Sequence, residues 1–128
     1  MVTDSTFFFL GVYFLGRDGL YVWGKWKTSG DGGQGTPWLY PKYFDGLSGW
    51  KIDDIACGGV SLFALSETST ISWGQNAANG ELGHGKGKPK SATNAVKVDA
   101  LEDANTLAVS CGLGHTLILV DSSKPLRK

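Results

Sequence analysis

The sequence predicts an all-β fold of short antiparallel strands, and its composition supports this in two ways. Among 128 residues there are 19 Gly, five Trp, four Tyr and six Phe. Glycine permits the positive φ angles of tight turns, and aromatic side chains pack well on pleated strands. Hydrophobic residues make up 41% of the chain and charged residues 19%, which is sufficient for a packed core.

The strands themselves are visible as short apolar runs closed by turn residues. No apolar pattern with the period of a helix continues for a useful length. We predict three consecutive antiparallel strands between residues 52 and 74, because Gly58-Gly59 and the polar segment 66–70 separate the runs there. The long segments 25–49 and 75–105 are rich in Gly, Pro, Asn and Lys, and we expect loops with one extra edge strand each.

An internal repeat of about 50 residues organises these runs. Trp23-Gly24 and Trp73-Gly74 stand 50 residues apart, and Cys57-Gly58 and Cys111-Gly112 stand 54 residues apart. A unit of this length with several strands is typical of a β-propeller blade, which buries its faces against neighbouring blades around a common axis. The sequence therefore predicts a partial β-propeller of about two to three blades.

We divide the chain into an N-terminal segment with a strand (1–15), the repeats (16–121) and a C-terminal tail (122–128). The first segment contains the apolar run Phe7–Leu15. A signal peptide begins with positive charge, whereas the early charge here is Asp4, so we expect a strand. The run is too short to span a bilayer, and we expect no membrane association.

The repeat resembles that of the regulator of chromosome condensation family. Segments 38–58 and 87–98 look like the C-terminal part of one member of that family. The motif residues that carry the family resemblance are Trp23, Gly24, Cys57, Gly58, Gly59, Trp73, Gly74, Gln75, Asn76, Gly80, Glu81, Leu82, Gly83, His84, Gly85, Cys111, Gly112, His115 and Thr116.

The resemblance implies a seven-bladed propeller with an intracellular location, nuclear or cytoplasmic. It also implies protein partners: a small GTPase, with a role as a guanine nucleotide exchange factor, and chromatin or microtubule proteins of the cell cycle. A full ring requires about seven units, whereas this chain contains one complete unit and two partial ones. One alternative is therefore an incomplete chain without independent activity.

A hydrolase-like enzyme is the other alternative, and the residues argue against it. Residues 30–35 fit a dinucleotide-binding glycine pattern, but Pro37 follows where that pattern needs a helix. His84 and His115 lack partners at metal-ligand spacing, and we expect His115 to connect neighbouring loops by hydrogen bonds. We expect Cys57 and Cys111 to lie too far apart for a disulfide and to act as small hydrophobes. The sequence predicts no catalytic residue, metal or cofactor.

Two segments carry candidate partner-binding residues. The long first loop contains four aromatic residues, which either fold back on the blade or bind a partner. The second loop carries three closely spaced lysines, which form either a solvated loop or an anion site. The chain has 12 basic and 12 acidic residues, so we expect no sequence-specific nucleic-acid binding. The candidates are Trp38, Tyr40, Tyr43, Phe44, Lys86, Lys88 and Lys90.

Overall fold

A computed structural model of the chain confirms the all-β prediction. It describes residues 4–8, 11–16, 19–24, 38–74, 77–102, 104–121 and 123. Within these residues, ten strands form three antiparallel sheets, and two short 3₁₀ helices follow two of the strands.

The first sheet has four strands in the order in which they occur along the chain. They are β1 (Asp4–Phe8), β2 (Gly11–Gly16), β3 (Gly19–Gly24) and β4 (Trp38–Tyr43). β1 and β2 lie within the apolar N-terminal region, and β4 is the extra edge strand expected in the first long segment.

The second sheet repeats this arrangement with β5 (Ile52–Cys57), β6 (Leu62–Ser66), β7 (Thr70–Gly74) and β8 (Ala92–Lys97). β5 pairs antiparallel with β6, and β6 with β7, so the prediction of three consecutive strands in 52–74 is confirmed. β8 is the extra edge strand of the second long segment.

A short 3₁₀ helix follows the edge strand of each four-stranded sheet, at Asp45–Leu47 and at Asp99–Leu101. The residue before each 3₁₀ helix donates a backbone hydrogen bond to the third strand of its own sheet. Phe44 N–H donates to the Leu20 carbonyl, and Val98 N–H donates to the Thr70 carbonyl, both at 2.8 Å. The two bonds show that the repeat seen in the sequence is also a repeat of backbone hydrogen bonding.

The third sheet consists of β9 (Thr106–Cys111) and β10 (Thr116–Val120), which pair antiparallel. The first strands of the three sheets are neighbours, because β5 contacts both β1 and β9. Sheets that adjoin through their first strands and pack through their faces have the arrangement of propeller blades.

The middle sheet is buried on both faces, which explains the continuous apolar run of β6. Leu62 and Ala64 face the first sheet, where a cluster also contains Leu20, Val22 and Trp73. Phe63 points the opposite way and packs with Leu82, Val98, Val109 and Ile118. Successive residues of a strand point to opposite faces, so a strand between two blades requires apolar residues at every position.

The outer face of the third sheet is exposed in the described structure. Leu117 and Leu119 are 69% and 59% exposed, whereas Ile118 between them packs inward. An apolar sheet face of this kind is characteristic of a surface that another element covers.

We expect Trp73→Ala to lower the free energy of unfolding by about 3–5 kcal/mol, because the indole is buried and large-to-small changes leave a cavity. Trp73 is 2% exposed, and its ring stacks on Phe44 with ring centroids 5.4 Å apart. Denaturant titration measures the change. Tyr40→Ala, at a residue that is 75% exposed, is the control and should cost no more than about 0.5 kcal/mol. A loss below about 1 kcal/mol for Trp73→Ala would contradict the buried position.

We also expect the isolated chain to self-associate through the outer face of the third sheet. Exposed leucines gain free energy by association, and unpaired strand edges pair with other chains. Light scattering of residues 1–128 should show species larger than a monomer. Leu117→Lys combined with Leu119→Lys should shift the mass toward the monomer, since a charged sheet face resists association. A monodisperse wild-type monomer with a sharp thermal transition would contradict this expectation.

Candidate functional site

The two Cys-Gly motifs of the repeat meet at the junction between the second and third sheets. Gly59 N–H donates to the Gly112 carbonyl at 3.3 Å. A Cβ added to Gly58 would lie 2.5 Å from the Gly112 carbonyl oxygen and 2.9 Å from the Cys111 Cβ. We expected Cys57 and Cys111 to lie too far apart for a disulfide, and the structure describes neither of them in one. The glycines that follow them nevertheless adjoin, because successive blades approach closely there. Glycine at position 58 is required by this approach.

Both cysteines are half-buried free thiols. Burial raises the pKa of the Cys111 thiol, and the nearby hydroxyls of Ser61 and Thr116 oppose that rise. The thiol is therefore neutral at neutral pH, and a neutral thiol is a poor nucleophile. Cys111 also packs beside the cluster around Phe63, so its environment is that of a small hydrophobic residue.

His84 is held by a buried serine on the middle sheet. Ser72 Oγ donates to the Leu82 carbonyl at 2.8 Å and lies 2.8 Å from His84 Nε2. A hydroxyl has one hydrogen, so Ser72 must accept the proton of His84 Nε2–H. This assigns the neutral tautomer with its proton on Nε2 and leaves Nδ1 as an acceptor. Burial lowers the pKa of His84; Ser72 and Asp99 oppose this effect, and Lys88 adds to it.

The glycine-rich motif that begins at Gly80 is fixed to both blades. Thr116 Oγ1 of β10 donates to the Glu81 carbonyl at 2.9 Å, and the buried Glu81 carboxylate accepts from Asn79 N–H at 2.7 Å. Leu82 is buried between the sheets. Residues of this motif therefore connect the second and third sheets, a role that the sequence pattern did not reveal.

His115, for which we expected loop-to-loop hydrogen bonds, closes the turn between β9 and β10. Its carbonyl accepts from Gly112 N–H at 2.8 Å, and its exposed ring lies over Gly112, where an added Cβ would collide with it. The hydrogen bond described for His115 is therefore a backbone bond within the β9–β10 hairpin.

The four aromatic candidates of the first long segment have different positions. Tyr40 is exposed on β4, and Tyr43 is half-exposed with its ring edge-to-face against Tyr21, at a centroid distance of 5.8 Å. Phe44 is 6% exposed and stacks on Trp73, so it is a core residue and not part of a binding surface. It is buried because the chain turns inward at the end of β4. Trp38 begins β4 opposite Gly24.

The three lysine candidates surround an open pocket of about 440 Å³. Lys88 Nζ lies 3.2 Å from Asp99 Oδ2 in an exposed ion pair. In the described ranges no group of His, Cys, Asp and Glu is suited to hold a metal ion, and no helix there has the length and apolar character needed to span a membrane. The pocket is lined by Gly80, Gly83, His84, Gly85, Lys86, Gly87, Lys88, Pro89 and Lys90.

These three sheets, with adjoining first strands and a doubly buried middle sheet, define the chain as blades of a β-propeller. The chain belongs to the family of proteins built from repeats of the regulator of chromosome condensation type, as the following comparisons with relatives show. No family model matches the sequence.

Among curated relatives, Protein RCC2 homolog of Danio rerio is 41% identical over 101 residues, covering 79% of this chain and 19% of that protein. Protein RCC2 of Homo sapiens is 37% identical over 110 residues, covering 86% of this chain and 20% of that protein. The chain thus spans about a fifth of the length of these relatives. The resemblance noted in the sequence to one family member, RCC2, is confirmed.

Solved structures support the same fold. Human WBSCR16 superposes with a TM-score of 0.73 at 21% identity, covering 94% of this chain and 31% of that one. Prp20p of Saccharomyces cerevisiae superposes with a TM-score of 0.71 at 19% identity, covering 92% and 30%. That structure is described together with the binding of Prp20p to Gsp1p and histones.

The environment of His84 predicts a pH dependence of stability. Its pKa in the folded chain lies below its ordinary value of 6.5, so the unfolded chain takes up a proton first as the pH falls. The associated stabilisation is present above about pH 6.5 and is lost as the pH falls through the lowered folded-state pKa. We expect the urea midpoint to decrease between pH 7.5 and pH 5.5.

The variant His84→Gln should show a smaller decrease over the same range, because glutamine does not titrate and retains an N–H donor for Ser72. His115→Gln is the matched control and should retain the wild-type decrease. Equal pH dependence in the wild type and His84→Gln would contradict the assignment to His84.

Proposed function

We propose that these blades form a protein-interaction surface in a small-GTPase regulator of the guanine nucleotide exchange type. The observation that carries the proposal is the similarity to RCC2 over 86% of this chain, on a fold shared with Prp20p, which is described as binding Gsp1p and histones. A role as a mitotic or cytoskeletal scaffold would use the same kind of surface without nucleotide exchange.

A non-catalytic mode of action agrees with the chemistry of the described residues. Cys111 is held as a neutral thiol, and His84 is hydrogen-bonded to Ser72 inside the blade junction. Neither residue has the arrangement of a nucleophile and base. Exchange proceeds by distorting the nucleotide site of the partner and makes no covalent bond, so it needs shape and contact area but no reactive group.

The edge strand of the first blade is the surface that we assign to the partner. Tyr40 and Tyr43 project from β4, and Tyr21 on the adjacent strand supports Tyr43. The buried Phe44 fixes the end of the strand to the core. Tyrosines that are exposed on a rigid support supply contact area at low entropic cost, which is why they are frequent at the centres of interfaces.

The proposal is tested by measuring binding of the 128-residue chain to a panel of small GTPases in nucleotide-free, GDP-bound and GTP-analogue-bound forms. We expect the tightest binding to a nucleotide-free form, with faster release of fluorescent GDP from the same GTPase. Tyr40→Ser combined with Tyr43→Ser should weaken binding at least about thirtyfold, since interface tyrosines each contribute on the order of 1 kcal/mol or more.

Val96→Ser is the matched control, because Val96 is an exposed apolar residue on the edge strand of the next blade. It should leave binding unchanged. Equal affinity for all three nucleotide states would favour the scaffold role over exchange. Absence of binding to every GTPase in every state would overturn the proposal and favour a chain without independent activity.

A further inference from the structure

The loop formed by residues 80–90 has a rigid half and an exposed half. In the rigid half, Glu81 is bonded to Thr116 of the third sheet, Leu82 is buried, and His84 is bonded to Ser72 of the second sheet. The second half, residues 85–90, carries three lysines and is exposed at the protein surface. The lysine-bearing segment is therefore attached to a base that two blades hold in place.

Glycines determine the path of the exposed half. Gly85 and Gly87 have φ angles of +103° and +82°, a backbone region that other residues rarely adopt. A Cβ at either position would meet no atom within 4 Å, so these glycines are not required by packing. Their positive φ angles allow the chain to turn here. Lys88 N–H closes the turn by donating to the Gly85 carbonyl at 3.3 Å. The turn places Lys86, Lys88 and Lys90 around one pocket.

The pocket has an excess of positive charge. Asp99 pairs with Lys88, whereas no ion pair is described for Lys86 or Lys90 within the described ranges, where both are exposed. The chain as a whole has formal net charge zero, so this excess is local. A concave site lined by cations concentrates an anionic ligand.

The size and lining of the pocket favour an acidic peptide over nucleic acid. Its volume of about 440 Å³ is within the range of small-ligand pockets and accommodates a few side chains. No Phe, Tyr or Trp lines it, whereas single-stranded nucleic acid is held largely by stacking on such rings. Duplex binding relies on neutralising many phosphates, which three lysines with one paired carboxylate cannot do.

We propose that the pocket formed by residues 80–90 binds an acidic peptide segment of a protein partner, with Lys86 and Lys90 as the main charge contacts. The proposal rests on the function proposed above only in that the ligand is a protein. It concerns a different surface, since the lysines lie in the loop between β7 and β8 and the tyrosines lie on β4.

His84 lines the same pocket and reports its occupancy. The charged groups that act on its ring are Asp99 and Lys88, and Ser72 bonds it from β7. A carboxylate bound beside the ring stabilises the imidazolium form and therefore raises the pKa of His84.

The test uses the 128-residue chain and a fluorescently labelled peptide of six glutamates with capped ends. A peptide of six glutamines is the neutral control. Fluorescence anisotropy should show binding of the glutamate peptide that weakens with salt, and a rise in the pKa of His84, followed by NMR, should accompany binding. Lys86→Gln combined with Lys90→Gln should weaken binding at least about fivefold, on the scale of two lost exposed charge pairs.

Lys42→Gln combined with Lys51→Gln changes the net charge equally outside the pocket lining and should leave the affinity within about twofold. Circular dichroism establishes that both variants fold. Unchanged affinity in the Lys86 and Lys90 variant, or equal weakening in the control variant, would overturn the proposal. Tighter binding of a DNA oligonucleotide of equal charge through the same lysines, or equal competition by inorganic phosphate, would overturn the assignment to an acidic peptide.

The Tyr40 and Tyr43 variant should bind the glutamate peptide with wild-type affinity, and the Lys86 and Lys90 variant should retain GTPase binding. Peptide binding without GTPase binding would support this site while the proposed function fails. GTPase binding without peptide binding would overturn the site alone.

Discussion

Burial of the middle sheet on both faces is the constraint on which the described structure depends. Trp73, stacked on Phe44, joins this sheet to the first blade, and Phe63 joins it to the third. The apolar residues of each face are buried against the neighbouring sheet, so each blade depends on its neighbour to complete its core. The outer leucines of the third sheet show the same requirement where the described structure provides no neighbour.

Polar contacts then determine how the blades are joined. Ser72, fully buried, uses its single hydroxyl to hold both the Leu82 carbonyl and the ring of His84, and Thr116 holds the Glu81 carbonyl from the next blade. A buried polar group is costly unless it is hydrogen-bonded, so these bonds stabilise the observed position of the loop relative to the two blades. The close approach of Gly58 to Gly112 likewise joins the second and third blades, through their backbones.

The residues that stabilise the blades and the junctions between them, a framework called here the frame, are different from the exposed candidate binding residues. Of the described motif residues, Trp73 and Leu82 are buried in the core, and Gly58 and Gly112 meet at a blade junction. The exposed tyrosines and lysines occur on an edge strand and on a loop that the frame supports. Substitutions on these surfaces can change binding while leaving the blades intact, because they alter neither the apolar clusters nor the junction hydrogen bonds.

The sequence by itself determined the all-β class, the period of about 50 residues and the strands of segment 52–74, because alternating apolar runs and glycine turns are local signals. Tertiary structure alone decided that Phe44 is a core residue and Tyr40 a surface residue, although both belong to one aromatic segment. It also decided that the two Cys-Gly motifs meet and that Lys86 and Lys90 share a pocket with His84. The positions of Phe44 and of the Cys-Gly motifs depend on contacts between blades, and a contact between distant segments leaves no periodic mark on either of them. The shared pocket depends on the path of the loop through Gly85 and Gly87, whose positive φ angles only the structure shows.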